Sequence, residues 1–202
     1  MAKQIKRQPQ RKVFTRLNDL YQRMQEEYDR IASQIGLSCA ECTDNCCTSY
    51  FQHHTYVEWA YLWKGLKECN NGLRQRIIGR AEEYVREEDA CLAGGKTPEI
   101  MCPVNENGWC TLYAHRMMIC RLHGVPNFLT LPDGGHREFP GCFVTQELTR
   151  EMTHVPMMDR TRLYTELANL EMEFLGPRIK KLPRVNITLA RMIVSGPPKV
   201  SV

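Results

Sequence analysis

What this sequence lacks narrows its function before anything it contains. No apolar run approaches the roughly 18 residues that a helix needs to cross a bilayer, so no membrane partner is expected. The opening residues carry charges at Lys3, Lys6 and Arg7 with no apolar stretch behind them, which reads as no export signal and a cytoplasmic location. No HExxH, phosphate-binding loop or glycine-rich cofactor loop is present, and no Ser/His/Asp set suggests a hydrolase. Internal repeats and low-complexity blocks are missing too.

What is abundant is cysteine, with ten in 202 residues. A chain that stays in a reducing compartment keeps its thiols for metals or chemistry, since structural disulfides rarely persist there. Hydrophobic residues make up 43% and charged residues 25%, an ordinary globular balance that supports one core and a small subdomain. The formal charge of +4 counts every cysteine as neutral. Ionising eight of them around metal would make the protein more acidic, so net charge is a poor argument for nucleic acid. The basic runs Lys3, Lys6, Arg7, Arg11, Lys12 and Lys180, Lys181, Arg184, Arg191, Lys199 read as solvated tails, and nucleic acid is not the expected partner.

Periodicity predicts helices around the cysteines. Val13, Leu17, Leu20, Met24, Tyr28, Ile31 and Ile35 recur at three- and four-residue steps and Gly36 follows as a stop. Thr55 with Glu58 forms a capping-box signature for a second helix carrying Val57, Tyr61, Leu62 and Leu66. A third runs from about Leu73 to Leu92 before Gly94-Gly95, and the two are expected to pair as a hairpin. A last helix begins near Pro156 and carries Leu163, Leu167, Leu170 and Phe174. Between Cys102 and Cys142 the turn signals Asn107-Gly108 and Pro132-Asp133-Gly134-Gly135 predict short hairpins.

The fold class expected is therefore mainly α: a small helical domain over residues 13–176 with an irregular, cysteine-rich metal-binding subdomain containing short β-hairpins. Residues 1–12 and 177–202 are expected as basic tails, and 37–47 and 102–142 as the ligand segments.

Two thiols separated by two residues can reach one metal because a tight turn brings both sulfurs to the same side while turn amides stabilise the thiolate charge. Cys39 and Cys42 have that spacing and Cys46 adds a third thiol, close to spacings found in cluster proteins. Cys46 and Cys47 are neighbours whose side chains diverge, so they suit different centres, or one of them stands behind the other. Cys102, Cys110, Cys120 and Cys142 converge only if loops fold around something. Two four-thiolate sites, or one cluster and one zinc, satisfy the same count; buried small hydrophobes are the plain alternative. Cys69 and Cys91 read as core or surface cysteines.

With those residues assembled, the chain resembles the CxxCxxCC family of zinc- or iron-chelating proteins from about Leu37 to Cys142. The first motif matches Cys39, Cys42, Cys46 and Cys47; the second block matches Cys102-Pro103, Gly108-Trp109-Cys110-Thr111-Leu112-Tyr113 and Cys120-Arg121; Cys142 closes it. Two departures stand out: Arg116-Met117 replaces the family's Arg-Pro, and the first motif is one residue longer than the family name implies. The resemblance extends distantly to flagellin lysine N-methylases, thought to use a cluster with S-adenosylmethionine, although this chain is much shorter.

Other polar candidates are less specific. His115, His123 and His136 could each replace a thiolate, against the plainer reading of a hydrogen-bonding or surface histidine. Arg116 and Arg121 are candidate cofactor-binding cations, because an anionic thiolate site gains from nearby arginine; ordinary salt bridges are the alternative. His53 and His54 are read with the Thr55 cap and His154 has no evident role. Glu82, Glu83, Glu87, Glu88 and Asp89 read as a solvated face, and Trp59, Trp63 and Trp109 as core anchors.

These residues lead to an iron–sulfur protein in redox or electron transfer. A structural zinc module that presents helices to a protein partner, and a cluster-assisted methyl or group transferase, stand as alternatives. Whether the chain is an enzyme is left open by its sequence.

Overall fold

The computed structural model describes residues 7–40, 42 and 46–200, with only the backbone of residues 7–9. Lys3, Lys6, Thr43, Asp44 and Asn45 lie outside the described residues. Within them the chain is mainly helical, as the periodicity predicts, with α1 Arg7–Ile35, α2 Tyr56–Glu68, α3 Asn71–Ala93, α4 Met118–Leu122, α5 Phe143–Thr149, α6 Thr161–Leu175 and α7 Leu189–Val194. Five short strands accompany them: β1 Asn105–Glu106, β2 Trp109–Cys110, β3 Asn127–Thr130, β4 His136–Phe139 and β5 Met158–Asp159.

Where one domain over residues 13–176 is expected, the chain divides into two compact units, Met1–Cys46 with Met118–Phe174, and Cys47–Met117 with Leu175–Val202. The divisions fall between Cys46 and Cys47, inside the cysteine motif, between Met117 and Met118, and between Phe174 and Leu175 at the end of α6.

The first unit is organised by α1. Val13, Leu17, Leu20, Tyr21, Met24 and Ile31 are buried along one stripe, and each large apolar side chain contributes roughly 1.5–3 kcal/mol on burial. The helix starts inside the expected N-terminal tail because only Pro9 could break it, and proline is tolerated in a first turn. It ends in a Schellman turn: Gly36 takes a left-handed φ of +69°, and the Leu37 and Gly36 amides bond to Ala32 and Ser33 carbonyls at 2.9 and 3.4 Å. Helix α6 runs antiparallel to α1, tied by Arg16 to Glu173, by Arg23 to Glu166 (Nη1 to Oε1, 2.9 Å) and by Phe14 stacked on Phe174.

Helix α6 starts at Thr161, not near Pro156. Met158 donates its amide to the Pro126 carbonyl at 2.9 Å, which holds residues 158–159 extended as β5 beside β3. The Asp159 carboxylate then accepts the Thr161 amide at 2.9 Å and opens the helix. The β3–β4 hairpin turns at Pro132–Gly135 as expected, with parallel β5 on the other side of β3.

In the second unit, Asn70 caps α3 by accepting the Leu73 amide at 2.9 Å. Thr55 occupies the cap position of α2 but donates its hydroxyl to Glu58 at 2.8 Å in place of the expected backbone cap. The expected basic tail is a correction. Its α7 packs on α3 with Ala190, Met192 and Ile193 buried, and the Trp59 and Trp63 indoles each donate to the Met192 carbonyl at 2.9 Å. A β-bridge between His53 and Ile187 pins the segment before it. The short apolar run Ala190 to Val194 supplies enough burial to fold a stretch that looks basic in composition.

Candidate metal centre

In the first unit the thiols sit at the ends of regular elements. Cys39 follows the Schellman turn, and the Cys42 amide reaches the Cys39 carbonyl at 3.4 Å, a tight turn that suits their spacing. Both residues are exposed. Cys120 lies on α4 and Cys142 at the N-cap of α5. The Gly124 carbonyl accepts the Cys142 amide at 3.1 Å and the Thr145 hydroxyl at 2.6 Å. That hydroxyl has one proton, so in the 3.6 Å contact between Cys142 and Thr145 the thiol is the donor. Gly141, with φ +85°, admits this approach, since a Cβ there would stand 2.7 Å from the Gly124 oxygen.

In the second unit the cysteines are knitted into the backbone. Cys46–Thr48 form a turn of 3-10 helix at the boundary, and the Cys102 amide donates to the Cys47 carbonyl at 2.9 Å. The Asn105 amide closes back on the Cys102 carbonyl at 3.0 Å, and Asn105 pairs across the ribbon with Cys110. Asn107 (φ 54°) and Gly108 (φ +87°) turn that ribbon with the left-handed angles a two-residue hairpin requires. Cys47, Cys102 and Cys110 thus come into one neighbourhood of chain.

Asn105 adds a signal that spacing could not carry. Its side-chain oxygen accepts the Gly108 amide at 3.1 Å, which fixes the amide group, and its buried Nδ2 has no hydrogen-bond partner. A buried donor without an acceptor costs about 1–3 kcal/mol. An anionic thiolate or sulfide is one acceptor that would satisfy it. Among the described residues no three Cys, His, Asp or Glu side chains are gathered closely enough to hold a metal ion. The soft thiol donors and the orphaned amide nevertheless fit a sulfur-ligated group.

The remaining candidates are placed as follows. Arg121 is buried with its guanidinium 4.3 Å above the Tyr21 ring, and Arg116 stands 5.0 Å above Tyr113. The His115 ring packs 4.6 Å from Tyr61, with Nε2 3.5 Å from Glu68; a Cβ on Gly65 would come within 2.5 Å of that ring. His123 is half-buried after α4, whereas His136 is exposed on β4 beside Thr130 and Phe128. His53 is buried and neutral, its pKa pushed down to about 3 by desolvation and then by His54. Burial raises the Cys69 thiol pKa, and that thiol donates to the Gly65 carbonyl at 3.5 Å, which suits a structural cysteine.

Two readings from sequence are corrected. Trp109 is 69% exposed, because two-residue strands leave its face without a covering layer. Glu88 is not on a solvated face: it is 1% exposed and takes hydrogen bonds from Tyr50 and Thr188 and a salt bridge from Arg191 Nε, each at 3.1 Å. Tyr84, one turn earlier, has its phenol pKa raised by burial and then by Glu88 and Cys102. The chain matches no protein-family model, no curated protein and no solved structure.

Proposed function

We propose that this chain binds metal through Cys39, Cys42, Cys46, Cys47, Cys102, Cys110, Cys120 and Cys142, holds an iron–sulfur cluster, and works in redox or electron transfer in a reducing cytoplasm. The observation that carries the reading is the second-unit neighbourhood, where Cys47, Cys102 and Cys110 adjoin a buried Asn105 donor with no acceptor. A cluster, when bound, supplies a one-electron couple whose potential responds to hydrogen bonds on its sulfurs. The chain's own part is to present thiolates, donate the Asn105 amide, and keep Arg116 and Arg121 close to the ligand segments in sequence.

A structural zinc is the second reading, favoured by the tight Cys39–Cys42 turn, which matches the spacing zinc takes. Methyl transfer is not carried forward, since no observation favours it. Anaerobic purification with metal and acid-labile sulfide analysis separates the two. Brown protein with iron and sulfide supports the cluster, and colourless protein with stoichiometric zinc supports the second reading. Protein that takes up neither metal while its thiols are reduced overturns both.

A further inference from the structure

The sequence places Tyr28 on the apolar stripe of α1, between Met24 and Ile31, as one more core aromatic. The structure gives its phenol a different setting. Tyr28 Oη lies 3.7 Å from Cys39 Sγ, within reach of a sulfur hydrogen bond. On its other side the ring enters a notch that only glycine leaves open: a Cβ on Gly124 would stand 2.0 Å from Tyr28 Oη and 2.9 Å from Cζ. The Gly124 carbonyl in turn anchors Cys142 and Thr145. One phenol therefore touches the sulfur of the first cysteine motif and the backbone that seats the last cysteine, all within the first unit.

We propose that Tyr28 is a positioning residue for the Cys39 ligand: its hydroxyl donates to the Cys39 thiolate, fixing the direction of the sulfur lone pairs and withdrawing electron density from them, while Gly124 keeps the notch open. The role rests on the metal-binding reading. A thiolate has no proton to give, so the phenol is the donor whenever Cys39 is ionised. Hydrogen bonds to an ionised partner are the stronger kind, and their loss raises the energy of the sulfur electrons. The bond would therefore be visible both in metal spectra and in the reactivity of the metal-free thiol.

The test compares the full-length wild-type chain with Tyr28→Phe, which keeps the ring and removes only the donor. Co2+ is added to the reduced, metal-free proteins, and iodoacetamide labelling of Cys39 is followed at one pH with Cys91 as internal reference. In Tyr28→Phe the sulfur-to-cobalt charge-transfer band moves to longer wavelength, and Cys39 labels about twofold more slowly because the donor that stabilised its anionic sulfur is gone. Gly124→Ala, which crowds the phenol out of the notch, reproduces both changes with Tyr28 intact. If wild type and Tyr28→Phe share one spectrum and one Cys39 labelling ratio, the proposal is overturned. Should Co2+ bind neither protein, the zinc reading fails on its own, and the labelling ratio alone then decides the Tyr28–Cys39 bond.

Discussion

The two units seat their cysteines by different means. In the first, thiols stand where regular structure ends: beyond the Gly36 turn, on the five-residue α4, and at the start of α5. In the second, Cys47, Cys102 and Cys110 belong to a run of backbone hydrogen bonds and a two-stranded ribbon, flanked by the Glu88 network on α3. The first unit has a long helix with a deep apolar stripe and needs little from its cysteine loops. The second has an apolar core too, on α2, α3 and α7, and adds to it a buried charged group, Glu88, held by hydrogen bonds and an ion pair.

That contrast sets the expected size of each perturbation. Leu20→Ala empties a fully buried position in α1 and should cost about 3–5 kcal/mol, read by denaturant unfolding, with amide exchange rising first in α1 and α6. Glu88→Ala strands the Tyr50 and Thr188 hydroxyls and leaves Arg191 with Asp89 alone, and about 2–4 kcal/mol is expected, with exchange rising first in α3 and α7. Equal protection loss in both units from either change would break the comparison.

Next in size is pH. His53 has a folded-state pKa lowered to about 3 from 6.5, so protons favour the unfolded chain. Stability from this site is complete above pH 6.5 and declines as pH falls towards 3, at up to about 1.4 kcal/mol per pH unit. Unfolding of wild type against His53→Phe across that range reads the slope, which should diminish in the variant. Smallest is Gly65→Ala, where the added Cβ must displace the His115 ring 2.5 Å away, at about 1–3 kcal/mol. Thermal unfolding measures it, and an unchanged midpoint would mean that His115 moves aside without cost.

How far the sequence reaches depends on whether a residue announces its neighbours. The α1 stripe, the Gly36 stop and the Asn107-Gly108 turn are local, set by 3.6-residue repetition and by left-handed backbone angles, and all three appear as expected. Glu88 was legible in principle, since Ile77, Ala81, Tyr84 and Glu88 fall on one buried stripe, but its charge argued for solvent and Arg191 and Thr188 are far along the chain. Tyr28 looks like any core aromatic until Gly124 is seen to leave its hydroxyl room. Asn105 carries no sequence signal beyond its turn, because its importance lies in an acceptor it lacks. The C-terminal segment misled through composition: its lysines and arginines masked the apolar Ala190, Met192 and Ile193.

X-ray absorption at the metal edge of the anaerobically purified full-length chain tests the thiolate centre most directly. The account expects a first shell built from sulfur, near 2.3 Å if the metal is zinc, with iron neighbours beyond it if the group is a cluster. A first shell of nitrogen or oxygen, or a reduced protein with no bound metal, would contradict it.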